Sequence, residues 1–93
     1  MKTYHKALTI AGSDCSGGAG VQADLKTFSA LGVYGMSIIT ALTAQNTKAV
    51  NDVLPTPVEH LRMEFDAIFD DIRPDSIKIG MCVNESIIGV IAE

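Results

Sequence analysis

The sequence predicts an α/β protein of three layers, α/β/α, in which helices cover both faces of a mostly parallel sheet. Two observations support this fold class. Short apolar runs alternate with amphipathic segments, and a glycine-rich loop links the first run to the first amphipathic segment. A helix that crosses back over the sheet between two strands leaves those strands parallel.

Seven elements follow one another along the chain. They are a strand over Lys6–Gly12, a helix from about Gly20 to Leu31, a buried parallel strand over Ser37–Ala44, an extended piece over Ala49–Leu54, a helix from Thr56 to Arg73, a strand over Ser76–Gly80 and a last helix capped by Asn84. Parallel sheets normally contain more strands than this. We therefore expect residues 1–93 to be part of a larger domain.

Apolar stripes and end signals define the two long helices. The stripes consist of Val21, Leu25, Phe28 and Leu31 in the first helix, and of Val58, Leu61, Phe65, Ile68 and Ile72 in the second. Gly32 is the expected end of the first helix. Thr56 is the expected N-cap of the second, because Pro57 and Glu59 follow it at the preferred positions.

Composition narrows the function classes. The net charge is −4 and no basic patch is present, which argues against a nucleic-acid partner. The apolar runs are too short for a membrane span, and the N-terminus lacks the pattern of a signal peptide. Cys15 and Cys82 form neither a disulfide framework nor a metal-ligand spacing. We expect a cytoplasmic protein that binds no metal through these residues.

Polar or small residues follow three predicted strands, at Gly12–Gly20, Thr43–Thr47 and Gly80–Val83. Ligands of open parallel sheets bind beyond the carboxyl ends of the strands. The three segments are therefore expected to meet at one edge of the sheet and to form a binding site there.

The glycine-rich loop is open to three interpretations. The spacing Gly18-x-Gly20-x-x-Ala23 imitates a dinucleotide-binding fingerprint, but no acidic residue occurs between Leu25 and Val50, where that fingerprint requires one. The glycines can instead form only a tight turn. Alternatively, they let backbone N–H groups approach a ligand at the helix N-terminus.

Three side chains are candidates for ligand contacts. Asp24 falls within the apolar arc of its helix, so its carboxylate must either be tied to nearby backbone amides or accept a hydrogen bond from a ligand. Gln45, at a strand end, offers a donor and an acceptor that suit the edge of a heterocycle, unless it is solvated. Met81 is either a core residue or lines a flat ring.

Four segments together resemble the N-terminal part of the hydroxymethylpyrimidine/phosphomethylpyrimidine kinases. These are AGSDCSGGAGVQADLKT at Ala11–Thr27, ALGVYGM at Ala30–Met36, TALTAQNT at Thr40–Thr47 and KIGM at Lys78–Met81. The resemblance extends over essentially the whole chain and implies the N-terminal part of a single ribokinase-like domain.

The resemblance also implies an activity. Kinases of this family phosphorylate 4-amino-5-hydroxymethyl-2-methylpyrimidine and then its monophosphate, with ATP and Mg²⁺, in thiamine biosynthesis, and are typically homodimers. The positions that match their pyrimidine site are Gly12, Asp24, Thr43, Gln45 and Met81. The catalytic base, the anion hole and most of the ATP site belong to a C-terminal portion, so no catalytic residue is expected within residues 1–93.

Three alternatives remain open. A related kinase of pyridoxal or pyridoxine would use a similar site. A non-catalytic module would bind the aminopyrimidine without turnover. A fragment whose uncovered strand edge and apolar faces cause association would bind nothing.

Overall fold

The computed structural model describes residues 4–80 and Gly89. Its elements are β1 (Lys6–Ala11), α1 (Gly20–Ala30), β2 (Tyr34–Ile39), β3 (Ala41–Gln45), β4 (Val50–Pro55), α2 (Val58–Asp71) and β5 (Ser76–Ile79). The last predicted helix, with Asn84, lies outside the described residues. In the described part, no helix combines the length and the apolar character needed to cross a membrane.

Strand β1 is the centre of a three-stranded parallel sheet in the order β2-β1-β5. All of its residues from Ala7 to Ala11 are buried. Burial on both faces requires a continuous run of small, apolar or β-branched residues, which this strand has. Its residues therefore alternate between two covered faces of the sheet.

One face of the sheet carries the hydrophobic core. Leu8 and Ile10 lie beside Met36 and Ile38 of β2, and Leu61 of α2 packs against this group. The remaining members of the predicted α2 stripe are half-buried around the same core: Val58, Phe65, Ile68 and Ile72. The 3.6-residue periodicity of α2 is thus used as predicted.

Helix α1 covers the opposite face. Its Leu25 and Phe28 lie over Gly35 of β2, and its Asp24 accepts a hydrogen bond from Thr9 of β1. With α2 on one face and α1 on the other, the described residues have the predicted three-layer α/β/α arrangement.

The predicted strand over Ser37–Ala44 is wrong in two respects. The observed strand begins earlier, at Tyr34, and the predicted segment is divided between two strands. Strand β2 ends at Ile39, and β3 then pairs with β4 as a separate antiparallel hairpin. The chain leaves the parallel sheet at Thr40, whose N–H still donates to Ala11 while its carbonyl accepts from Thr56. Apolar β-branched composition is common to both strands, so it did not reveal the change of direction.

Two predicted helix details are also wrong. Thr56 does not cap α2, because its hydroxyl donates to the Ile39 carbonyl at 2.7 Å and ties the returning chain to the end of β2. Pro57 occupies the cap position without a side-chain hydrogen bond. Leu31 lies just beyond α1 and is 72% exposed, so it does not join the stripe.

The glycine-rich loop joins β1 to α1 through a close backbone approach. The Val21 N–H donates to the Gly12 carbonyl at 2.9 Å. Gly20 has φ +61, and a Cβ atom on it would lie 2.3 Å from that same carbonyl oxygen. Only glycine accommodates both the left-handed conformation and this contact.

We predict that Leu61→Ala lowers the free energy of unfolding by about 2–5 kcal/mol, because it leaves a cavity between α2 and the sheet. Met63→Ala on the same helix is the matched control, since Met63 is 65% exposed and its change should stay within about 0.5 kcal/mol. Urea unfolding followed by circular dichroism measures both. Equal effects of the two substitutions would contradict the described packing of α2.

We predict that Gly20→Ala destabilises the protein more than Gly32→Ala. Both glycines have positive φ, but a Cβ at Gly32 meets nothing within 4 Å, so Gly32→Ala reports the cost of the conformation alone. The overlap at Gly20 should add about 1–3 kcal/mol to that cost. Thermal unfolding of the two variants gives the difference, and a smaller loss for Gly20→Ala would contradict the contact with Gly12.

Candidate functional site

A cavity of about 330 Å³ opens at the carboxyl ends of β1 and β5, where the hairpin β3–β4 faces the start of α1. It is lined by Ala11, Gly12, Ser13, Ala19, Gly20, Asp24, Thr43, Gln45, Val50, Val53, Lys78 and Gly80. The volume is at the lower end of the range of about 300–1,000 Å³ that is usual for small-molecule sites.

Asp14 holds the glycine-rich loop in place. Its carboxylate accepts hydrogen bonds from the Ser16 hydroxyl at 2.6 Å, from the Ser16 N–H at 2.9 Å and from the Gly18 N–H at 3.0 Å. The hydrogen bond from the Ser16 hydroxyl lowers the pKa of Asp14 and, with these backbone bonds, outweighs burial, which raises it. Asp14 therefore stabilises the glycine-rich loop, a role that the sequence did not reveal.

Asp24 brings a carboxylate into the cavity wall. Its Oδ2 accepts a hydrogen bond from the Thr9 hydroxyl at 2.6 Å, and its Oδ1 lies 2.5 Å from the Lys78 ammonium. Burial raises the pKa of Asp24, but the Lys78 and Thr9 hydrogen bonds and the Lys78 charge outweigh it, so the pKa lies below its usual value. The group is an anion at neutral pH and is held by side chains, not by the backbone amides considered above.

Thr43 and Gln45 form a hydrogen-bonded chain on the hairpin. The Gln45 amide nitrogen donates to the Thr43 hydroxyl at 2.6 Å, and that hydroxyl donates to the Ser13 carbonyl at 2.6 Å. The Cys15 thiol donates to the backbone carbonyl of Gln45 at 3.1 Å and accepts a hydrogen bond from the backbone N–H of Gln45 at 3.3 Å. The hairpin and the glycine-rich loop are thereby joined at the cavity.

Four of the five predicted substrate-binding residues line this one cavity: Gly12, Asp24, Thr43 and Gln45. Met81 lies outside the described residues. Gly12 comes from the end of β1, Asp24 from α1 and the other two from β3. Their role in binding a substrate stays a prediction, but the structure brings the four residues together.

The sequence reasoning missed Lys78 and the two β4 valines, Val50 and Val53, which also line the cavity. A signal for Lys78 was present, because it is a charged residue in the middle of the apolar strand β5, on the face opposite Ile77 and Ile79. No comparable signal marked the valines, since their contribution depends on the hairpin pairing.

Metal ligands are not clustered in the described part of the chain. Among residues 4–80 and Gly89, no group of three or more His, Cys, Asp or Glu side chains could hold a metal ion. Among the described residues that line the cavity, Asp24 is the one carboxylate, and it is paired with Lys78.

Comparison with known proteins agrees with this architecture. The Bacillus subtilis (strain 168) hydroxymethylpyrimidine/phosphomethylpyrimidine kinase is 58% identical over 97% of this chain. A crystal structure of phosphomethylpyrimidine kinase from Clostridium difficile 630 matches 94% of the chain with a TM-score of 0.91 and 56% identity, and the chain covers 38% of that structure. An ADP complex of Bacillus subtilis pyridoxal kinase matches 97% of the chain with a TM-score of 0.89 and 44% identity, and the chain covers 34% of it.

These matches cover nearly the whole of this chain but only part of each relative. The chain spans about a third of the length of the curated relatives it matches, 33% for the Bacillus subtilis kinase. The sequence profile of the family described as phosphomethylpyrimidine kinase matches residues 14–93 of this chain. Since that match includes most of the cavity residues and nearly the whole chain, the chain belongs to the phosphomethylpyrimidine kinase family.

Proposed function

We propose that residues 1–93 form the N-terminal, substrate-binding part of a kinase that phosphorylates 4-amino-5-hydroxymethyl-2-methylpyrimidine and its monophosphate with ATP, in thiamine biosynthesis. The observation that carries the proposal is the convergence of Gly12, Asp24, Thr43 and Gln45 on one cavity, in a chain 58% identical to a kinase of that name.

The chemistry of the cavity suits an aminopyrimidine. Asp24 is ionised, so it can accept a hydrogen bond from the exocyclic amine of the ring. Gln45 gives one N–H to Thr43 and has a second N–H and a carbonyl oxygen for the edge of the ring. Gly12 allows the ring to approach the backbone closely, because glycine has no side chain. We assign Met81, as a ring contact, to the same site.

The phosphoryl-transfer groups belong elsewhere in the proposed enzyme. Transfer depends on positioned groups that stabilise the charge on the moving phosphoryl group. The charged side chain of Lys78 is already engaged with Asp24, and the described residues hold no cluster for a metal ion. We therefore assign ATP, Mg²⁺ and the catalytic groups to a C-terminal portion of the same ribokinase-like domain. The 93 residues alone are then expected to bind the ring without turnover.

We infer the cellular location, oligomeric state and partners of the proposed enzyme from its family. We infer a cytoplasmic homodimer that binds small molecules and neither nucleic acid nor membrane. The net charge of −4 and the absence of a basic patch support the exclusion of nucleic acid.

A pyridoxal kinase is the second candidate, favoured by the 44% identity to the Bacillus subtilis pyridoxal kinase. The third, a non-catalytic aminopyrimidine-binding module, has the same cavity and differs only in turnover. Phosphorylation assays on the protein expressed from its full reading frame separate all three, with the aminopyrimidine alcohol and pyridoxine as competing substrates. Preferred turnover of the aminopyrimidine supports the proposal, preferred turnover of pyridoxine supports the second candidate, and binding without turnover supports the third.

We predict that Gln45→Ala weakens binding of the aminopyrimidine alcohol about tenfold, because it removes hydrogen bonds worth about 0.5–1.5 kcal/mol each. Isothermal titration calorimetry of both the 93-residue chain and the protein from its full reading frame measures this loss. Thr47→Ala is the control, since Thr47 is exposed on the hairpin turn and does not line the cavity.

Equal affinities of the Gln45→Ala and Thr47→Ala proteins would contradict the assignment of Gln45 to the ring. A folded 93-residue chain that binds nothing, beside a full-length protein that binds, would show that the remaining residues are needed to complete the cavity. It would also show that residues 1–93 are not a binding unit on their own.

A further inference from the structure

The cavity wall carries two charged side chains among the described residues, and they are of opposite sign. Asp24 projects from α1 and Lys78 from β5, while the other lining residues are uncharged. The two opposite charges balance, so the described wall has no net charge.

The geometry gives the two charges different positions. The Asp24 side chain is 12% exposed, whereas the Lys78 side chain is 56% exposed. Thr9 of β1 pairs with Lys78 of β5 in the parallel ladder, so its hydroxyl and the Lys78 ammonium reach the carboxylate from the same face. The ammonium therefore stands on the solvent side of the carboxylate.

The other titratable side chains around this pair are engaged elsewhere. Asp14 of the glycine-rich loop is bonded to Ser16 and Gly18, and Cys15 is bonded to the Gln45 backbone. Lys26 of α1 donates to the Gly17 carbonyl at 2.9 Å. Strand β1 and the hairpin contribute no charged side chain to the lining. Within the described residues, the charge that a ligand meets is set by Asp24 and Lys78.

We propose that Lys78 is a specificity-determining residue, which makes the cavity select the uncharged form of a basic heteroaromatic ring. This inference rests on the proposed function, since it takes an aminopyrimidine as the ligand. An uncharged ring can donate an amine hydrogen to a free lone pair of Asp24 without disturbing its pair with Lys78. A protonated ring would bring a second positive charge beside the ammonium, at a place partly removed from water.

Removal of the ammonium reverses this preference. In Lys78→Gln the Asp24 carboxylate would keep its hydrogen bond from Thr9 but lose its cationic partner, and a largely buried anion without a counter-charge attracts a cation. The protonated ring would then be the better ligand. The affinity of the variant should rise as the pH falls through the pKa of the ring, whereas the affinity of the wild type should fall.

The test is the dissociation constant of the aminopyrimidine alcohol above and below the pKa of the ring, measured by calorimetry on the protein expressed from its full reading frame. We expect Lys78→Gln to change the ratio of the two affinities by about tenfold or more in favour of the protonated ring. Lys78→Arg retains the charge and should keep the wild-type ratio. Arg73→Gln removes an exposed positive charge before β5, at the other end of the strand from the cavity, and should also keep it.

The outcomes separate the two proposals. A wild-type protein that binds no aminopyrimidine would overturn the proposed function and this inference together. A wild type that binds, with a Lys78→Gln protein that keeps the wild-type ratio at reduced affinity, would overturn only this inference and give Lys78 a structural role. If Lys78→Gln does not fold, the test rests on Lys78→Arg. An altered ratio of the two affinities in Lys78→Arg would overturn the inference. The wild-type ratio in both Lys78→Arg and Arg73→Gln would support it.

Discussion

Hydrogen bonding of β1 on both of its edges is the constraint on which the other elements depend. The strand pairs in parallel with β2 and with β5, so both of its faces must be covered by other elements. Leu8 and Ile10 supply the surface on which α2 packs, while Thr9 on the other face meets Asp24 of α1. The same strand ends at the glycine-rich loop, and the cavity opens where its ladder stops.

Much of this architecture could be predicted because it depends on local patterns. The stripe of α2 and the buried run of β1 each act within a few residues, and the structure uses them as predicted. The division of the predicted strand at Thr40 could not be predicted in this way. It depends on hydrogen bonds to Ala11 and Thr56, which are distant in sequence. The misassigned cap at Thr56 has the same origin, because its hydroxyl is taken by Ile39.

The site shows the same division between local and distant causes. Asp24 was recognised because a carboxylate in an apolar arc is costly unless it has a partner. Its actual partners, Thr9 and Lys78, come from two other elements and were not predicted. Val50 and Val53 enter the cavity only because β4 pairs with β3 in a particular register. The one signal in the sequence that Lys78 belongs to the site is its charge within the apolar strand β5.

The separation of the hairpin from the parallel sheet gives the cavity two walls of different construction. One wall carries Asp24 and Lys78 and is built on the sheet and α1. The other carries Thr43 and Gln45 and belongs to a two-stranded unit. Substitutions in the hairpin can reshape the outline of the cavity while the residues of the β1 ladder stay unchanged. The shape of the cavity can therefore change in small steps, while the ion pair and the core that supports it are inherited intact.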